Sequence, residues 1–292
     1  MLVAFMFAAN MRSSDDLIDS HIHFWDPARL HYEWLEAIPA LRRPFAPTAV
    51  QTGGHDVAGY VFVQADCRAD EAWAEVSWVG ELARDHPILG LVAYAGLHQG
   101  AAARAELERL DAHPLVVGVR RLLQGEPDSL LISERLAAGV GLLAEFDLTF
   151  DACVTHAQLP AVTRLAARCP DVTIVLDHLG KPDVAGGRLD PWRADLAALA
   201  ARPNVVCKLS GLTTEADHRT WTPEDVRPYL AHALACFGPE RCLVGSDWPV
   251  ATLATSYARW FDVLLEFLAD VPAAEREAIL SGNAARVYRL PG

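Results

Sequence analysis

Short runs rich in β-branched residues alternate along the chain with longer stretches of Ala, Leu, Glu and Arg. The apolar runs fall at residues 17–18, 59–64, 88–94, 116–120, 148–154, 172–177, 205–209 and 242–246, and their length and composition predict β-strands. The intervening stretches at 71–84, 101–110, 130–144, 159–167, 191–200 and 223–237 predict helices, with a further one at 255–269. Proline at the start of several suits the first helical position, where no N–H is needed. Segment 27–54 alone breaks the rhythm, with Trp34 and several prolines. A loop of that length in a compact domain is usually functional, and a lid is expected.

Eight strands in strict alternation with helices, over about 250 residues, predict a single-domain α/β fold of the (β/α)8 TIM barrel type, covering 17–292. A doubly wound open sheet is the competitor. That fold places a Gly-rich GxGxxG turn after its first strand, whereas here the turn reads His-Ile-His-Phe-Trp-Asp-Pro.

Hydrophobic residues make up 52% of the chain and charged ones 22%, a composition that excludes a disordered protein. The net charge of -13, with no basic run longer than the pairs Arg42-Arg43 and Arg120-Arg121, argues against a nucleic-acid partner. Met1 to Ala9 is apolar but lacks a basic start and a small-residue cleavage site. Residues 1–16 are therefore expected to form a disordered leader, with Met11 as an alternative start. No other apolar run approaches the ~20 residues of a membrane span. Six cysteines without a CxxC pair predict free, mostly buried thiols in a reducing, cytoplasmic setting.

Barrel active sites lie at the C-terminal ends of the strands. Here those ends carry His21 and His23, Gln64, Arg120, His156, His178, Lys208 with Ser210, and Asp247. The period-two alternation of a strand puts His21 and His23 on one face, together with Asp19. Two adjacent imidazoles can hold a divalent metal or orient a polarised carbonyl. Gly245 beneath Asp247 leaves room for a side chain pointing into a tapering barrel mouth.

The same residues carry a resemblance. Ile18-Asp19-Ser20-His21-Ile22-His23-Phe24-Trp25-Asp26-Pro27, Gly118-Val119-Arg120-Arg121, Asp177-His178-Leu179-Gly180-Lys181-Pro182, Lys208-Leu209-Ser210-Gly211-Leu212 and Gly245-Ser246-Asp247-Trp248-Pro249 resemble the amidohydrolase superfamily. The similarity is to its amidohydrolase-2 branch of sugar-lactonase-like hydrolases, which includes L-fuconolactonases, L-rhamnonolactonases and a pyrone-dicarboxylate lactonase. The resemblance implies a carboxylic ester hydrolase of carbohydrate metabolism that opens a small sugar lactone to its aldonic acid. Asp247 is then expected as general base, with His21, His23 and His178 polarising the carbonyl.

Arg120 has two expected roles: a bidentate clamp on substrate, or an ion pair with Asp177 or Asp19. Trp25, Trp248 and Trp34 offer flat faces for a sugar ring, and Gln64 and His156 are expected beside the substrate. Binuclear members bridge two metals through a carboxylated Lys or a Glu at strand four. Arg120 stands there, and a guanidinium has no lone pair to give. A binuclear centre is therefore not expected. A site with no metal and one with a single Zn²⁺ on His21, His23 and Asp247, with His178 in reach, both stay open. A metal-dependent decarboxylase of the same superfamily, a hydrolase of a dicarboxylate lactone and a non-catalytic binding barrel are the alternatives.

Overall fold

A computed structural model describes residues 16–291; the expected leader, but for its last residue, lies outside them. Eight parallel strands form one sheet in chain order: β1 (Leu17–Ile22), β2 (Val57–Val63), β3 (Ile88–Tyr94), β4 (Val116–Arg120), β5 (Thr149–Ala152), β6 (Ile174–Leu176), β7 (Val205–Leu209) and β8 (Cys242–Val244). The sheet curls back on itself just past β8. There Ile22 bridges Trp248, the Asp247 N–H donates to the His21 carbonyl at 2.8 Å, and the His23 N–H donates to the Trp248 carbonyl at 2.8 Å. The expected (β/α)8 barrel is thus the fold. Helices Ala72–Leu82, Arg104–Asp111, Glu134–Gly141, Leu159–Arg168, Trp192–Ala200, Pro223–Phe237 and Tyr257–Phe267 occupy the predicted stretches. Among the described residues, no helix is long and apolar enough to cross a membrane.

Two apolar layers hold this arrangement. The outward faces of the strands, with Phe62, Leu91 and Phe150, pack against helix residues such as Val76, Leu107 and Leu165. The interior is filled by Val61, Val63, Val92, Val175, Val206 and Leu243. Burying each such side chain contributes about 1.5–3 kcal/mol. The chain's last segment closes one end of the barrel. Val287, Tyr288 and Leu290 join the interior cluster, and Asn283 donates to the carbonyls of Pro239 and Cys242 where β8 begins. That plug stands at the N-terminal ends of the strands, so the open mouth is at their C-terminal ends.

β6 and β8 are shorter than their apolar runs predict. Just beyond each run the backbone turns left-handed: φ is +54° at His178 and at Leu179, and +57° at Asp247. Such angles are uncommon for residues other than glycine and concentrate at functional sites. Segment 27–54 folds over the mouth as short 3-10 turns, two of them opened by Pro39 and Pro47. It is pinned by an antiparallel bridge between Trp25 and Phe45.

Candidate active site

β1 carries a register shift between Asp19 and Ile22, and a bulge of this kind takes a strand out of its two-residue phase. Asp19 therefore does not share a face with the imidazoles, as simple alternation predicts. Its carboxylate instead accepts the N–H groups of His21 (3.1 Å) and Ser246 (2.9 Å), and it faces Tyr257 on the outer side of the barrel. Burial pushes its carboxyl up to about 6, against the pull of those hydrogen bonds. Asp19 thus ties the end of β1 to the end of β8. Gly245 lets the two approach, since a Cβ there would lie 2.7 Å from the His21 Cβ.

His21 and His23 meet at 3.2 Å between their Nε2 atoms. The Nδ1 of His23 lies 2.7 Å from the Val63 carbonyl, which can only accept. Asp247 Oδ1 is 3.4 Å from His23 Nε2, 3.8 Å from His21 Nε2 and 3.7 Å from His178 Nε2. His178 is held from behind by the Ser210 hydroxyl, 2.9 Å from its Nδ1. Burial lowers the pKa of all three imidazoles, that of His178 to about 4. Burial acts the other way on Asp247, but the surrounding imidazoles of His178, His23 and His21 hold its carboxyl well below the usual range. The result is an anionic carboxylate facing three neutral imidazoles.

The ring nitrogens of His21 and His23 and a carboxylate oxygen of Asp247 lie within 4.8 Å of one another, as do ligand atoms of His21, Asp177 and His178. Two imidazoles and a carboxylate are a donor set that suits one divalent ion such as zinc. Arg120 makes the expected ion pair with Asp177. One Nη donates to the Gln64 carbonyl and the other sits 3.5 Å from Asp177 Oδ2, while the guanidinium also lines the cavity.

That cavity, about 450 Å³, opens between the lid residues Trp34, Ala37 and Ile38 and a floor of His23, His178 and Asp247. A wider hollow of about 650 Å³ on the outside of the barrel, lined by Pro203 and Arg241, brings together no such cluster. His21 lies just beneath the floor. Four residues expected beside the substrate do not line the cavity. Trp25 is fully buried and donates its Nε1–H to the carbonyls of Leu41 and Arg43, so it anchors the lid. Trp248 packs edge-on against Phe24 and Phe45. Gln64 turns its side-chain oxygen back to the Asp66 N–H at 2.6 Å. His156 lies with its Nδ1 3.0 Å from the Lys181 carbonyl. Each lies behind the cavity wall: Gln64 is turned back by its own loop, Trp25 and His156 are held by carbonyls of other segments, and Trp248 by ring packing.

The walls hold residues that strand-end inspection passes over. Asp66, Gln124, Lys181 and Glu215 line the cavity, with Lys181 Nζ 3.8 Å from Glu215 Oε1. Lys181 stands in the Asp177–Pro182 motif, which is a signal for it. Asp66 and Glu215 sit in loops whose place over the mouth no local pattern reports.

The family model described as Amidohydrolase matches residues 18–290. An L-fucono-1,5-lactonase of Burkholderia multivorans is 38% identical over 294 residues, which cover 94% of this chain and 96% of that protein. An L-fucono-1,5-lactonase of Burkholderia ambifaria is 33% identical over 285 residues, covering 94% and 95%. Among solved structures, an amidohydrolase from Burkholderia multivorans with bound zinc matches at a TM-score of 0.85 and 36% identity, covering 94% of this chain and 100% of that one.

Proposed function

Because the chain belongs to the amidohydrolase family, we propose that it hydrolyses a small sugar-derived lactone, such as an L-fucono-1,5-lactone or an L-rhamnono-lactone, to the aldonic acid. The observation that carries this is the ionised Asp247 ringed by His21, His23 and His178 at the floor of a lidded cavity. A lactone is an ester already strained toward opening. It needs a base for water and donors for the oxyanion.

Asp247 takes a proton from water as its oxygen attacks the carbonyl carbon. The oxyanion is met by the His178 imidazole and by the Arg120 guanidinium, with the His21 Nε2–H beside them. Collapse breaks the bond to the ring oxygen, and Asp247 returns the proton to that oxygen. Substrate hydroxyls face Asp66, Glu215, Lys181 and Gln124 along the walls. Two acidic and two basic side chains there, Arg120 being the second base, suit a neutral polyol better than a dicarboxylate. The lactonase relatives extend over most of the chain, so a decarboxylase is not favoured.

The centre requires no metal or takes one divalent cation. When one is bound, His21, His23 and Asp247 hold it, and it supplies polarisation of the carbonyl. The cations of Arg120 and Lys208 oppose a second ion, so the site is not binuclear. The six free cysteines support a cytoplasmic setting.

A panel of aldonolactones assayed by proton release, before and after exhaustive chelation, tests this. Turnover of 6-deoxy aldonolactones and no more than one bound ion per chain are expected. A protein inert on the whole panel overturns the activity, and two ions per chain overturn the mononuclear centre.

A further inference from the structure

Below the histidines, inside the barrel, a single ammonium group is enclosed. Lys208 is fully buried on β7. Its Nζ lies 2.6 Å from Asp151 Oδ2, 3.1 Å from Asp177 Oδ1 and 3.1 Å from His21 Nδ1. Tyr288, from the segment that plugs the barrel, donates its hydroxyl to the same Asp151 oxygen at 2.7 Å. Lys208 therefore reaches the site from beneath, and it touches one of the two paired imidazoles.

An ammonium carries three N–H donors and no lone pair. Its hydrogen bond to His21 Nδ1 can form only when that nitrogen is unprotonated, which leaves the proton of a neutral imidazole on Nε2. His23 supplies an independent constraint from the other side. Its Nδ1 donates to the Val63 carbonyl at 2.7 Å, so its Nε2 holds a lone pair. The 3.2 Å contact between the two Nε2 atoms is then a proper hydrogen bond from His21 to His23. Donors and acceptors alternate from Lys208 through His21 and His23 to Val63, which leaves Asp247 Oδ1, 3.4 Å from His23 Nε2, with no N–H from that ring.

A second arrangement is built into the same pocket. Asp177 Oδ1 also approaches His21 Nδ1, at 3.2 Å; it is ion-paired with Lys208 but accepts no aligned hydrogen bond. Moving the His21 proton to Nδ1 would satisfy that oxygen and leave two lone pairs facing each other at the mouth. Two lone pairs at that separation repel unless a cation stands between them.

We propose that Lys208 is a positioning residue that fixes His21 as the Nε2–H tautomer, with Asp177 as the alternative partner. Through this choice, made without any change in charge, Lys208 keeps the histidine pair joined by its own hydrogen bond and opposes its use as a bidentate metal ligand. The inference stands whichever lactone is turned over.

Protein labelled with ¹⁵N-histidine and stripped with chelator gives the test through long-range ¹H–¹⁵N spectra. His21 is expected to show a pyridine-like Nδ1 and a pyrrole-like Nε2, and His23 the reverse. A protonated Nδ1 on His21 overturns the proposal, and this wild-type spectrum decides it even if no variant folds. In folded Lys208→Met the two His21 signals should exchange character, and zinc, read by competition with a chromogenic chelator, should bind at least about tenfold more tightly. A folded Lys208→Met protein that keeps the wild-type tautomer and zinc affinity also overturns it.

Discussion

Replacing Asp247 with asparagine lowers kcat by about 10³-fold or more with the fold intact, the scale expected when a general base is removed. Asparagine matches the shape and keeps hydrogen-bonding capacity, and it tolerates the left-handed φ of +57° found here. The backbone link from residue 247 to the His21 carbonyl, which helps close the barrel, uses main-chain atoms alone. Only the charge and the basic lone pair are lost. KM should change far less than kcat, and the melting temperature should hold. Retention of more than a tenth of wild-type turnover would remove Asp247 as the base. The pH profile offers a second check. Because the surrounding imidazoles keep Asp247 ionised far below neutrality, the acid limb should come from His178. Activity should stay level from neutral pH to about 5 and fall as His178 takes a proton near 4.

The largest stability effect is expected at Glu75, away from the chemistry. Glu75 lies on helix Ala72–Leu82, is 1% exposed and accepts the Ala65 N–H at 3.1 Å. Burial raises its carboxyl from 4.5 to about 8. Between those values the folded protein holds a proton that the unfolded chain has released. The contribution of Glu75 is therefore complete below about 4.5 and is lost as pH rises through about 8, amounting to a few kcal/mol. Glu75→Gln keeps an acceptor for Ala65 and has nothing to ionise. Its stability relative to the wild type should rise by a few kcal/mol between pH 5.5 and 8.5, measured by denaturant titration at each pH. Using the difference between the two proteins cancels the opposite trend from His178, whose lowered pKa makes the fold less stable as pH drops from 6.5 toward 4. Parallel curves for the two proteins would show that Glu75 is ionised in the folded state. The site has a stake in this group. The Ala65 carbonyl accepts the Trp34 indole N–H at 2.9 Å, so Glu75 and the lid grip the same residue of the cavity wall.

Much of the site was legible because its residues mark strand ends. The apolar runs locate the strands to within a few residues, and the polar residue after each run falls at the barrel mouth. His21, His23, Arg120, His178 and Asp247 come together in this way. Trp25 and Trp248 show the limit of the method. An aromatic next to a catalytic motif serves a sugar ring or the packing of the lid equally well in one dimension, and here both indoles are buried in packing. Asp19 shows another limit, since a one-residue bulge reverses the face on which a side chain emerges.

The amino-acid sequence by itself determined the eightfold alternation, the barrel that follows from it, and the imidazoles and carboxylate at the mouth. These depend on periodicity and on position within a strand, which are local properties. Tertiary structure alone decided which groups the site is built on. Lys208 meets His21 across the barrel interior, 187 residues away in sequence, and Tyr288 meets Asp151 at a separation of 137. Asp66 and Glu215 face one cavity from loops that follow different strands. Closure of the sheet creates these neighbours, and left-handed turns at His178 and Asp247 aim the side chains. Neither closure nor turn geometry leaves a periodic trace in the chain, because both arise from contacts between segments and not within them.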